Sequence, residues 1–145
     1  MREILFRGKS VSSGKWVYGF YVEATRQLIN GEKPHKSLII FEKFAEDGCD
    51  WIVPIGREAV AKNTVGQYTG INDKYGHKIF EGDILKVVRK RRVSIVHVKY
   101  CGTSFYVPEF AADLDSVIFD HAVEIIGNIY DNLDLIGTGE EREEK

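Results

Sequence analysis

Turn-forming residues crowd the stretch from Thr64 to Leu85. Gly66, Gly70, Gly76 and Gly82 are spread along it with Asn72, Asp73 and Asp83, and short apolar runs separate them. Glycine takes a positive φ at no steric cost, and Asn or Asp can bond back to nearby amides. The stretch reads as tight turns between short strands and sets the fold class as mostly β. Asp73 is expected as a turn residue. Asp83, following Gly82, is expected to accept backbone amides that the bend would otherwise strand.

The rest of the chain agrees. Trp16, Tyr18, Phe20 and Val22 alternate with Val17, Gly19 and Tyr21, the period of a strand. Ser12-Ser13-Gly14 is turn material, so residues 4–9 and 15–22 read as an opening β-hairpin. Asn30-Gly31 and Pro34 mark a loop or second hairpin over 23–36. Further strands are expected over 37–44, 51–53, 65–68, 84–89, 93–100, 104–107 and 123–130, the last interrupted by Gly127. Glu46-Asp47-Gly48 reads as a turn, and residues 57–62 have room for one helical turn. Residues 109–120 read as a short helix or an irregular loop. Many short strands with turn signals between them predict a compact SH3-like barrel or sandwich of antiparallel strands with little helix. Residues 1–136 form one β-rich domain in this reading, with 1–62 a less regular N-terminal lobe and 137–145 a charged, flexible tail.

Composition narrows the function classes. The chain has 145 residues, and 20 basic against 22 acidic side chains give a net charge of −2, so no global field draws it to nucleic acid or an anionic membrane. The two cysteines, Cys49 and Cys101, lack metal-site spacing and read as buried thiols. The N-terminal residues carry charges every few positions, and no apolar run approaches the ~20 residues of a membrane helix. A soluble protein of the cytoplasm, without membrane contact, is expected.

Few residues suggest chemistry. His35, His77, His97 and His121 are scattered, none three or four positions from another His or Cys, so no metal site and no cofactor are expected. Asp73, Glu81 and Asp83 could in principle hold magnesium for hydrolysis, but their turn context favours a structural role. Ser10, Ser12 and Ser13 have no neighbouring histidine, and no nucleophile elbow or phosphate loop occurs. No catalytic residue emerges. Lys86, Arg89, Lys90, Arg91 and Arg92 put five positive charges and no negative one into residues 86–92. At a hairpin tip they could grip phosphates, with Tyr100, Phe105 or Tyr106 for base stacking. The competing reading is a solvated hairpin whose charges protect a sheet edge. The apolar residues on both faces of strand 15–22 suit a sandwich interior or an oligomer interface.

Several of these residues also carry a resemblance. Thr64-Val65-Gly66-Gln67-Tyr68-Thr69-Gly70, then Asp73-Lys74 with Gly76, then Ile79-Phe80-Glu81-Gly82-Asp83-Ile84 resemble the signature of YopX-type phage proteins. Arg2-Glu3-Ile4-Leu5-Phe6-Arg7, Trp16-Val17-Tyr18-Gly19 and Glu124-Ile125-Ile126-Gly127-Asn128-Ile129-Tyr130 agree, in the expected order. The resemblance implies a largely β protein encoded in phage or prophage genomes and acting inside the bacterial cell, with no established biochemical role. The reading that follows is a non-catalytic accessory protein that binds a phage or host macromolecule as a homo-oligomer. A nucleic-acid-binding module using the basic hairpin is the second reading, and a metal-dependent hydrolase the third.

Overall fold

The computed structural model describes residues 3–25, 35–42, 55–136 and 142–143. The expected loop around Asn30-Gly31 and Pro34, the Glu46-Asp47-Gly48 turn, the strand at Trp51, Cys49 and most of the expected tail lie outside these residues. The chain divides into two compact units, Met1–Gln67 and Tyr68–Lys145.

In the first unit, β1 (Phe6–Lys9), β2 (Trp16–Thr25), β3 (His35–Glu42) and β4 (Ile55–Ala59) form an antiparallel sheet in the order β4-β3-β2-β1. The start of β5 (Gly66–Asn72) adds to β1, with Arg7 opposite Gly66. The β1–β2 turn is held by Ser10, whose hydroxyl accepts the amides of Ser12 and Ser13 at 3.2 and 3.1 Å. A hydroxyl used this way stands in for a backbone turn bond. Directly paired residues share a face, so Arg7, Lys9, Trp16, Tyr18, Phe20, Val22 and Leu38 stand on one side. Phe6, Gly8, Val17, Gly19, Tyr21 and the fully buried Ile39 stand on the other. Residues 57–62, with room for one helical turn, do not form it. Arg57 and Glu58 pair with Ile40 and Ile39 as strand, and a 3-10 turn follows only at Lys62–Thr64. An isolated helical turn of this length is marginal, and a sheet edge offering hydrogen bonds outweighs it.

The second unit contains the rest of β5, then β6 (Lys78–Phe80), β7 (Asp83–Arg89), β8 (Arg92–His97), β9 (Lys99–Cys101), β10 (Ser104–Val107), β11 (Ala112–Asp113), the helix α1 (Leu114–Asp120), β12 (Ala122–Asn128) and β13 (Arg142–Glu143). One antiparallel sheet runs β12-β7-β8-β13 and another β11-β10-β9. The fold is mostly β, as expected, but the sheets are not closed into a barrel. The strand expected over 93–100 is two strands, parted at Val98. Its amide donates to the Asp83 carbonyl and its carbonyl accepts from Gly82, so the chain turns onto the Gly82-Asp83 bend. Gly127 sits at a register shift of β12 against β7. Cys101 is exposed, not buried, because it ends β9 beside the Gly102 turn.

Period-two patterning builds the core of this unit. Leu85 and Val87 of β7 point inward with Val96 of β8, and meet Ile79, Val98, Val107 and Val123. Leu114 and Val117, one turn apart on α1, close over them. Burying each such side chain stabilises the fold by about 1.5–3 kcal/mol relative to exposure.

Candidate functional site

The acidic turn residues have structural partners. The Asp73 side chain is 1% exposed. Its Oδ1 accepts the amides of Tyr75 and His77, each at 2.9 Å, and its Oδ2 accepts the amide of Ile125 at 3.3 Å. Burial pushes this carboxyl up, but the His77, Ile125 and Tyr75 amides and the His77 ring outweigh it and hold its pKa below the ordinary value. Beside it, Lys74 reaches Glu124 at 2.8 Å, and hydrogen bonding to Glu124 and then Tyr75 raises the lysine's pKa. Asp83, 1% exposed, accepts the Phe80 amide at 2.7 Å across the bend where Gly82 takes φ +84°. Glu81 instead reaches the Tyr100 amide, at 3.3 Å. Among the described residues, no group of three or more His, Cys, Asp or Glu is placed to hold a metal ion.

The other polar candidates are also dispersed. Ser10 and Ser12 donate their hydroxyls to Glu58 Oε1. His77 lies 3.4 Å from Asp73, and His97 Nδ1 lies 2.6 Å from Glu109. In the first unit, Tyr21 bonds Glu23 and Ser37; burial, and then Glu23, raise its pKa. Lys62, 2.6 Å from Glu23, is raised by that hydrogen bond.

The basic residues behave differently. Arg89 and Arg92 pair at the end of the β7–β8 ladder, leaving Lys90 and Arg91 as a two-residue tip. Lys90 adopts φ +51°, the left-handed region that favours glycine or asparagine. Arg89, Lys90, Arg91 and Arg92 line an open depression of about 650 Å³, completed by Asp120 and His121 from the end of α1. The Arg89 guanidinium lies 3.6 Å from the Phe110 ring centroid, which fixes its plane while leaving its charge at the rim. Lys90 and Arg91 are exposed, and no described residue forms a hydrogen bond or ion pair with either side chain. His121 contributes a buried Nδ1 with no hydrogen-bond partner. Lys86 stands apart, opposite Glu124 on β12 and Ile95 on β8. Four of the five basic candidates therefore share one site, and the fifth does not. β13 sets Glu143 opposite Arg92.

A family model described as YopX protein matches residues 5–137. The chain belongs to the YopX family. Among solved structures, this YopX protein is similar to the crystal structure of protein EF1440 from Enterococcus faecalis. The two share 20% identity over 94% of this chain and 99% of that one, with a TM-score of 0.53, a likeness of fold. No curated protein matches. Among the described residues, no helix is long and apolar enough to cross a membrane.

Three contributors to the site of this YopX protein escape sequence reasoning. Phe110, Asp120 and His121 join the hairpin tip only through tertiary packing, some twenty to thirty positions downstream. The helical spacing of Leu114, Val117 and Ile118 is readable, but nothing local announces which hairpin the end of that helix meets.

Proposed function

We propose that this YopX protein is a phage- or prophage-encoded, non-catalytic accessory protein that binds nucleic acid through the β7–β8 hairpin. The observation that carries the reading is the pair Lys90 and Arg91, exposed at the tip of a rigid ladder and without partners among the described residues. Arg89 and Arg92 line the same depression, which adds to the positive charge around it. The strained backbone at Lys90 supports the same reading, since strain at an exposed loop is often retained where the loop makes contacts. The carboxylates of Asp73 and Asp83 accept backbone amides, which favours binding over hydrolysis.

Fluorescence anisotropy of labelled duplex and single-stranded DNA and RNA, across a salt series, tests the proposal. Binding that weakens steeply with salt and is lost in Lys90→Glu/Arg91→Glu is expected. No binding at low ionic strength, or equal binding by the reversed variant, would sink it.

A further inference from the structure

The depression beside the hairpin tip holds one residue that phosphate binding leaves unexplained. Asp120 lines it together with His121 and the four basic side chains of the tip. It is exposed, and its carboxylate forms no hydrogen bond or ion pair with any described residue. A carboxylate there repels the phosphates that the cations attract. Its place on α1 is also locally unfavourable. It is the last helical residue, where unsatisfied backbone carbonyls disfavour an acid, and no basic residue occupies the last turn. An acid that opposes both its helix and its incoming ligand, with no described ion pair to offset either, is the kind of local conflict found at functional positions.

Phe119, one position earlier, is 91% exposed, more than any other large apolar side chain among the described residues. A single exposed apolar residue needs no explanation by itself, but this one is the helical neighbour of Asp120. Successive side chains of an α-helix diverge by about 100°, close to the right angle between the face of a nucleobase and its edge. One base can therefore lay its face on the Phe119 ring and turn its edge to the Asp120 carboxylate.

Resting on the nucleic-acid reading of the hairpin, we infer that Phe119 and Asp120 recognise an unpaired guanine. Two carboxylate oxygens match two adjacent donors. The Watson–Crick edge of guanine offers N1–H beside the N2 amino group. Cytosine and adenine offer one amino group beside a bare ring nitrogen, and thymine one N–H between two carbonyls, so each sets an acceptor against the carboxylate. The neighbouring cations suit the rest of the same base, since arginine and lysine donate to guanine O6 and N7. In a duplex that edge is paired and that face is stacked, so the ligand is a guanine nucleotide in a single strand or free.

Competition against fluorescein-labelled oligothymidylate, read by anisotropy with the full chain, tests the inference. Unlabelled oligothymidylate carrying one central guanosine is expected to compete about 5- to 150-fold better than plain oligothymidylate of equal length. Inosine at the same place, which lacks the N2 amino group, should give a smaller gain. In Asp120→Asn the ratio should fall to about 1, because the amide sets an NH2 group against the donors of guanine. Phe119→Ala should weaken the guanosine strand, and Phe119→Tyr, which keeps a ring, should restore it. Guanosine monophosphate, compared with thymidine monophosphate by calorimetry, separates the two sources. Asp120-dependent binding of the mononucleotide with no strand bound keeps the guanine assignment and removes the hairpin's nucleic-acid role. Strands that bind equally with and without guanosine, or a preference that survives Asp120→Asn, overturn the guanine assignment and leave the hairpin's role intact. Binding of neither strand nor mononucleotide overturns both.

Discussion

Asp73 Oδ2 accepts the backbone amide of Ile125 across 52 positions of sequence, while Oδ1 of the same carboxylate holds the Tyr75 and His77 amides. One side chain thus closes the β5–β6 turn and fastens it to β12. The Lys74 amide, donating to the Val123 carbonyl at 2.9 Å, doubles the attachment.

Removing that carboxylate strands buried amides. Asp73→Ala is expected to cost about 2–4 kcal/mol in urea unfolding. Asp73→Asn keeps one carbonyl for the turn amides but turns an NH2 group toward the Ile125 donor, so it recovers only part of the loss. The pH dependence has a defined sign. The folded pKa of Asp73 lies below its reference value of 3.8, so the stabilisation is complete above that pH and is lost as pH falls through the lower folded value. Asp73→Asn should flatten this acid limb, and an unchanged limb would count against the role given to Asp73.

Gly82 and Gly76 separate backbone strain from crowding. Both have positive φ, +84° and +85°, but a Cβ at Gly82 would stand 3.1 Å from Tyr130 Cε2, whereas nothing lies within 4 Å at Gly76. Gly76→Ala should therefore cost the left-handed penalty alone, about 1–2 kcal/mol. Gly82→Ala should cost that and a displacement of the Tyr130 ring. Equal losses in thermal unfolding of the two variants would show that the ring yields freely.

Exposure divides the apolar residues into two kinds, and stability measurements should see both. Ile79, fully buried in the second unit, should lose about 2–5 kcal/mol on truncation to Ala. Phe20→Ala, at an exposed site, should stay within about 0.5 kcal/mol of the parent. A large loss at Phe20 would mean that its ring contributes to a core.

The turns were legible because residue type encodes them. Gly82 can take its φ cheaply, and Asp83 supplies the acceptor one position later. The strands around them were legible from period-two alternation, as was the helical spacing of Leu114 and Val117. Pairing was not legible, because hydrogen bonds between distant strands leave no trace in local pattern. β4 shows this: Ile55-Gly56-Arg57-Glu58-Ala59 has weak alternation and is strand because β3 presents an edge. The Asp73–Ile125 bond was hidden for the same reason. The aromatic row of β2 was half legible. Apolar residues on both sides of that strand signalled a second surface, but only burial distinguishes the exposed Tyr18 and Phe20 from the covered Ile39 on β3. At the basic site the four tip residues were visible as a charge run, while Phe110 depended on where the 3-10 turn Pro108–Phe110 packs and His121 on where the end of α1 docks.

Lys90 combines a strained backbone with an unpartnered charge, and one substitution can separate the two. Its φ of +51° costs a lysine more than an asparagine, which tolerates the left-handed region and suits two-residue hairpins. Lys90→Asn should therefore stabilise the fold by about 0.5–1 kcal/mol, read as a higher urea midpoint at unchanged m-value. It also removes one phosphate-binding charge. Affinity for duplex DNA should fall, and the salt slope should decrease in magnitude by about 0.9 if the ammonium displaces one counterion. A more stable protein that binds less well would show that the lysine is kept for contact at the expense of the turn. A more stable protein with an unchanged salt slope would remove Lys90 from the interface, leaving the site to Arg89, Arg91 and Arg92.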